Sequence, residues 1–351
     1  MSWVRQLARP EIVALTAFEP ASWEAGVTRL NANELPWRAS EDESLAGLNR
    51  YPDPLARALT TRLAEVYRVA ADSLLVCRGS DEAIDLLVRA FCRAGEDSIL
   101  ICPPTYGLYR LAAGIQGAKV VSVPLVADQR FSLDPQAVLE RCTGDVKLVF
   151  LCCPNNPTGN LLSMSAILQL ADGLAHRAVV VVDEAYIEFS QRESLAAHIG
   201  RCPQLAVLRT LSKAHGLAGA RLGTLIADPE VIRLLRKIIA PYAVPQLIVE
   251  AVTALLSPQH LRTLQRRIAQ VRAERARLRE ALAELANVTE ALPSETNFLL
   301  ARFRDPTAAL SRAGDARIRV RDVRTYQGLS DALRISVGTP AENDRLLEAW
   351  T

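Results

Sequence analysis

Short aliphatic and β-branched runs alternate with longer helix-patterned stretches through the middle of this chain, and that alternation restricts it to an α/β fold. The runs cover residues 74–77, 98–102, 119–123, 146–152, 179–182 and 205–208. Several are apolar at consecutive positions rather than at every second one. Such a strand has both faces buried, so the pattern predicts a mostly parallel sheet between two layers of helices. The helices are predicted over 80–93, 106–116, 135–141 and 163–175.

The pattern changes after about residue 241. A helix is expected over 245–256, then a long Arg/Glu-rich amphipathic helix over 259–286 whose charges form a solvated face. Short strands at 297–303, 318–321 and 333–337 follow, with helices near 306–313 and 341–350. This reads as a separate α+β unit. A chain of 351 residues suits about two domains. The expected organisation is an N-terminal arm (1–30), a large domain (31–245) and a small C-terminal domain (246–351).

Lys plus Arg total 41 against 39 Asp plus Glu. That balance excludes a strongly basic nucleic-acid binder and an acidic disordered tail. The seven cysteines form no C-x-x-C pair and mostly sit in apolar segments, as buried thiols of a reducing compartment do. The four histidines have no metal-ligand spacing, so no metal is expected. No apolar stretch approaches ~18 residues, and residues 1–13 do not read as a signal peptide. A cytoplasmic protein is expected.

Four segments that follow strands carry residues with chemistry. Thr210-Leu211-Ser212-Lys213 leads into a segment of small residues that ends at Arg221, eight positions after Lys213. Its glycine spacing fits neither a Walker A loop nor a G-x-G-x-x-G turn. Asp183 ends a run of four valines, where open α/β sheets bind ligands, although a lone Asp there can simply cap a helix. Cys153-Pro154-Asn155-Asn156-Pro157-Thr158-Gly159 fixes a tight loop. Arg78-Gly79-Ser80-Asp81-Glu82 starts a helix, which makes it an N-cap or a phosphate cup. Each feature alone has an ordinary structural explanation.

Taken together, LNANELP, NRYPDP, CRGSDEAIDLLVRAFC, CPPTYGLY, CCPNNPTG, VVDEAYIEF, LRTLSKAHGLAGARLG, SETNFLLARF and LRISVGT resemble the fold-type-I pyridoxal-phosphate aminotransferases. The resemblance spans nearly the whole chain and is narrowest to the histidinol-phosphate aminotransferase group. It implies pyridoxal 5'-phosphate as cofactor, with Lys213 as the lysine that carries it. Asp183 would pair with the ring nitrogen and keep it protonated. Asn156 and Tyr186 would bond the ring's 3′ oxygen, and Tyr106 would stack on the ring. Gly79, Ser80 and Asp81 at the helix start, with Ser212 and Arg221, would hold the cofactor phosphate. The Asp81 side chain is expected to point away from that anion. Tyr51 would reach the cofactor of a second subunit, which implies a homodimer with shared active sites.

Substrate contacts are expected from Arg321 and Arg334 on neighbouring small-domain strands and from Asn33. Two arginines in one pocket suit a phosphate dianion better than a carboxylate alone. The implied reaction interconverts histidinol phosphate plus 2-oxoglutarate with imidazole-acetol phosphate plus glutamate. Relatives carry an arm tyrosine that bonds the substrate phosphate; Phe18 stands at the matching position and cannot donate. An aromatic or broad-range aminotransferase, or a threonine-phosphate decarboxylase, would share the cofactor site. A cofactor-binding transcription regulator would need a DNA-binding domain, and no helix-turn-helix pattern is present.

Overall fold

In the computed structural model, residues 2–21, 24 and 26–351 are described. Met1, Ser22, Trp23 and Ala25 of the expected arm lie outside the described residues.

The large sheet has seven strands: β1 (Leu74–Cys77), β2 (Ser98–Ile101), β3 (Lys119–Ser122), β4 (Val146–Cys152), β5 (Val179–Asp183), β6 (Leu205–Thr210) and β7 (Gly223–Ile226). Their spatial order is β1-β7-β6-β5-β4-β2-β3. Neighbours from β3 to β6 pair in parallel, while β7 runs antiparallel to both β6 and β1. The six runs read from the sequence are thus β1–β6, and one antiparallel strand is inserted among them. Val179 to Val182 are completely buried, which explains a strand that is apolar on both faces.

Each face of the sheet supports its own core. One includes Leu86, Leu87 and Phe91 of the helix Gly79–Phe91, together with Ile99, Phe150 and Val181. The first residues belong to it: Val4, Leu7 and Ile12, from the short helices Trp3–Leu7 and Pro10–Ala14, are buried there. The other core includes Leu59 and Leu63 of the helix Arg57–Tyr67, with Leu100, Val149, Val180 and Val207. Val252 and Leu256 join that second core, so the helix Gln246–Leu255 packs on the large sheet.

The smaller sheet has β8 (Val288–Ala291), β9 (Phe298–Phe303), β10 (Arg321–Asp322) and β11 (Ala332–Ser336), ordered β10-β11-β9-β8 and antiparallel throughout. β10 has two residues, whereas the sequence suggests a strand over 318–321. The chain is held in pairing only where Arg321 and Asp322 meet Arg334 and Leu333. The 26-residue helix Pro258–Ala283 links the two sheets; it starts at a Ser257 side-chain cap and buries Leu264, Ile268, Leu278 and Leu282. No helix among the described residues is long and apolar enough to cross a membrane.

Candidate active site

A cleft of about 270 Å³ opens at the carboxyl ends of the parallel strands. β1 runs into Gly79 and Ser80, β4 into Asn156, and β6 into Ser212 and Lys213, while Asp183 is the last residue of β5. Tyr106 follows β2. Arg221 precedes β7, and Arg321, Tyr326 and Arg334 come from the small sheet and its loop. Strand ends deliver these residues to one place because parallel strands finish at the same edge.

Asp183 is buried, and its two oxygens are already oriented. Tyr109 Oη donates to Oδ2 over 2.8 Å, and the Ala185 N–H donates to Oδ1 over 3.1 Å. Burial pushes the Asp183 carboxyl up to about 6, against the lowering effect of those two bonds and of nearby Lys213. A buried carboxylate in this condition suits a cationic N–H donor. Lys213 projects into the open cleft, its Nζ 5.7 Å from the Tyr186 ring centroid. Its pKa is lowered, first by desolvation and then by the Arg334 guanidinium, with Asp81 and Asp183 opposing. Both causes favour the neutral, nucleophilic amine.

The anion cup is shaped by backbone. The helix Gly79–Phe91 starts at the cleft wall, where its first N–H groups have no helical partner. Gly79 has φ +76°, and a β-carbon there would stand 3.0 Å from Arg221 Nη2. At Gly223 a β-carbon would lie 2.3 Å from the Ser80 nitrogen, so only glycine lets β7 pass the helix start. Glu82 turns back to accept from the Arg78 N–H at 2.7 Å, and the next N–H groups of the cup have no partner among the described residues.

Asp81 corrects an expectation. Its carboxylate does not point away: it accepts from Tyr106 Oη at 3.2 Å and from Arg221 Nη2 at 3.3 Å. Arg221 attracts this acid, so the Asp81 carboxylate lies on the cation expected to bind the phosphate. Burial and the Asp81 charge together push the Tyr106 phenol well above its ordinary value, which keeps it a neutral donor.

Arg321 and Arg334 face each other across the β10–β11 pair, and cross-strand partners project to the same side of a sheet. Arg334 Nη1 donates to Asn156 Oδ1 at 2.5 Å, so this arginine ties the small domain to the loop after β4. Its Cζ sits 5.1 Å from the Phe298 ring centroid, and its Nε is buried without a partner among the described residues.

Two expected residues lie elsewhere. Asn33 and Tyr51 line a shallow groove with Glu34, Arg50 and Gln246, outside the cleft of their own chain. Glu34 holds that segment by accepting from Arg50 at 2.8 Å and from the Tyr51 N–H at 2.7 Å. Tyr51 is half exposed and stacks on Tyr242 at 4.5 Å. Phe18 lines another hollow, with Pro20, Leu55 and Val244. Sequence reasoning missed Tyr109 and Tyr326. Tyr109 could have been found three residues after Tyr106, on the same side of a helix start. Nothing local marks Tyr326.

These residues fit pyridoxal phosphate. The cup is a cradle that a β-carbon would fill, the buried acid suits a ring N–H, and the lysine opens into the same cleft.

The description "Aminotransferase class I and II" matches residues 25–349. A histidinol-phosphate aminotransferase of Xanthomonas euvesicatoria pv. vesicatoria is 47% identical over 352 residues, covering 99% of this chain and 97% of that protein. One from Stenotrophomonas maltophilia is 45% identical over 350 residues, covering 99% and 96%. The solved structure of histidinol-phosphate aminotransferase from Sinorhizobium meliloti with pyridoxal-5'-phosphate superposes with a TM-score of 0.78 at 26% identity, covering 86% of this chain and 82% of that one. The strand-end cleft and these full-length matches agree: the chain belongs to the class I and II aminotransferases and, within them, to the histidinol-phosphate aminotransferase family.

Proposed function

We propose that this chain is a pyridoxal-phosphate-dependent transaminase acting on L-histidinol phosphate and 2-oxoglutarate, giving imidazole-acetol phosphate and L-glutamate. In histidine biosynthesis it runs in the reverse direction. The observation that carries this reading is one cleft with a lysine, a buried acid and an anion cup on one side and two arginines on the other.

Bound at this site, pyridoxal phosphate supplies an electron sink for charge developing on the substrate carbon. The protein's own residues do the rest. Lys213 would carry the cofactor, and its amine is the group that would move the proton between the reacting carbons. Asp183 holds the ring nitrogen, positioned by Tyr109. Tyr106 would cover the ring face, and Asn156 and Tyr186 would bond its 3′ oxygen. Asn156 is oriented for this because Arg334 occupies its Oδ1, leaving the amide Nδ2 as donor. Gly79, Ser80, Asp81 (through its backbone N–H), Ser212 and Arg221 hold the phosphate, which requires the Asp81 carboxylate to release Arg221. Arg321 and Arg334 receive the anionic end of either substrate.

The protein works as a cytoplasmic homodimer in this reading, with Tyr51 and Asn33 serving the partner's site. Support comes from the segment before the helix Arg57–Tyr67, where Leu30, Leu35, Trp37, Leu45 and Tyr51 are exposed together. In this reading residues 31–245 form the cofactor-holding domain and 246–351 the small domain, whose first helix, Gln246–Leu255, packs back on the large sheet.

A substrate panel tests the proposal. Purified enzyme should turn over histidinol phosphate far faster than phenylalanine, and should not decarboxylate threonine phosphate. A preference for phenylalanine would move the assignment to an aromatic aminotransferase.

A further inference from the structure

The loop between β10 and β11 brings a phenol to the substrate side of the cleft. Val323 and Leu329 are buried in the same core as Leu100 and Val149 of the large sheet, and Tyr326 packs partly against it. The Tyr326 N–H donates to the Val323 carbonyl at 3.0 Å, and the Leu329 N–H to the Tyr326 carbonyl at 3.1 Å. The loop is therefore a tight turn pinned on both shoulders. Its ring lines the cleft with Arg321 and Arg334. The hydroxyl hangs over the start of the helix that follows Tyr106, 3.8 Å from where a β-carbon on Gly107 would stand. It makes no hydrogen bond among the described residues.

The two anions this cleft must accept differ in shape. A carboxylate has two oxygens, and a planar guanidinium can satisfy both. A phosphate monoester presents three outward oxygens, so a second guanidinium and a further donor each find an acceptor. An uncharged donor beside two arginines adds little for the carboxylate and completes the shell of the phosphate. A donor on a pinned loop is also held in place before the ligand arrives, so little ordering accompanies its bond.

We infer that Tyr326 is a specificity-determining residue whose hydroxyl donates to the substrate phosphate alongside Arg321 and Arg334. This rests on the reading of histidinol phosphate as substrate.

The test is Tyr326→Phe in the holoenzyme, which keeps the ring and removes only the donor. The Michaelis constant for histidinol phosphate should rise about tenfold or more, the loss expected for one hydrogen bond to a charged group. That for glutamate should stay within about twofold, as should both turnover numbers. Inhibition by inorganic phosphate should weaken in parallel, and inhibition by glutarate should not. The ratio of the two Michaelis constants in one preparation is independent of how much variant is folded. An unchanged constant for histidinol phosphate, or equal rises for both substrates, overturns the inference while leaving the transaminase assignment intact. Wild-type enzyme inactive on histidinol phosphate would remove the assignment, and this inference with it.

Discussion

Tyr109 donates its hydroxyl to Asp183 over 2.8 Å, and the tyrosine ring is itself stacked on Phe150 at 4.8 Å, out of reach of solvent. The acid at the centre of the site is therefore held by a rigid neutral donor. A neutral donor fixes its direction without cancelling its charge, so burial still dominates and raises its pKa to about 6.

That shift predicts a pH dependence in cofactor-free protein. The folded pKa lies above the unfolded value near 4, so between pH 4 and 6 the folded state binds more protons. Stability from this group is present at low pH and is lost as pH rises to about 6, by up to about 3 kcal/mol. Asp183→Asn removes the effect. Its apoprotein should equal or exceed wild type in urea midpoint at pH 7.5, with the gap closing by pH 4.5. The same variant should bind cofactor and lose most turnover, because an amide cannot hold a ring nitrogen protonated. Near-normal turnover would reduce Asp183 to a structural residue.

Lys213→Ala should abolish transamination, and peptide mapping after borohydride reduction should find the cofactor on Lys213. Attachment to Lys119, Lys147 or Lys237 would refute the site. Because Arg334 helps to lower the lysine pKa, Arg334→Gln should move the spectroscopic titration of Lys213 to higher pH.

Asp81 pairs with Arg221 at 3.3 Å, so in the proposed site it would compete with the cofactor phosphate for that cation. Asp81→Asn removes the competing charge and keeps the backbone N–H. Titration of apoprotein should show several-fold tighter cofactor binding, with a smaller difference for pyridoxal lacking its phosphate. Weaker binding of both would mean that the Asp81–Arg221 pair preorganises the cup.

The paired strand arginines should separate by substrate. Arg321→Ala should raise the Michaelis constant for histidinol phosphate more than that for glutamate, by roughly 1.5–3 kcal/mol in binding. Arg334→Ala should damage both half-reactions, since it also loses its bond to Asn156 and its contact with Phe298. Equal effects of Arg321→Ala on both substrates would contradict a phosphate-shaped pocket.

Shared sites can be read from mixed dimers. A Tyr51→Phe,Lys213→Ala double variant mixed with wild type should follow the activity pattern of two sites that each use both chains. Full activity from a monomer at nanomolar concentration would dismiss the shared arrangement.

Local signals in the sequence were sufficient for strands β1 to β6 and for the placing of polar residues at their ends. Consecutive buried valines state their own environment, and a strand that finishes in Asp183 or runs on to Ser212 and Lys213 places its polar residue at the sheet edge without reference to the rest of the chain. What depended on distant pairing could not be read this way. β7 is four residues long and lies between β1 and β6, so its position comes from two antiparallel ladders and from the absence of a side chain at Gly223. β10 shrank to two residues because its extent is set by register with β11, and that register aligns Arg321 with Arg334. The direction of the Asp81 carboxylate was decided by a cation 140 positions away in the chain. Tyr109, on the helix after β2, became the partner of Asp183 only when the parallel sheet brought the carboxyl ends of β2 and β5 to the same edge. Composition and periodicity report what a residue needs from its surroundings; which residue supplies it is a property of the folded chain.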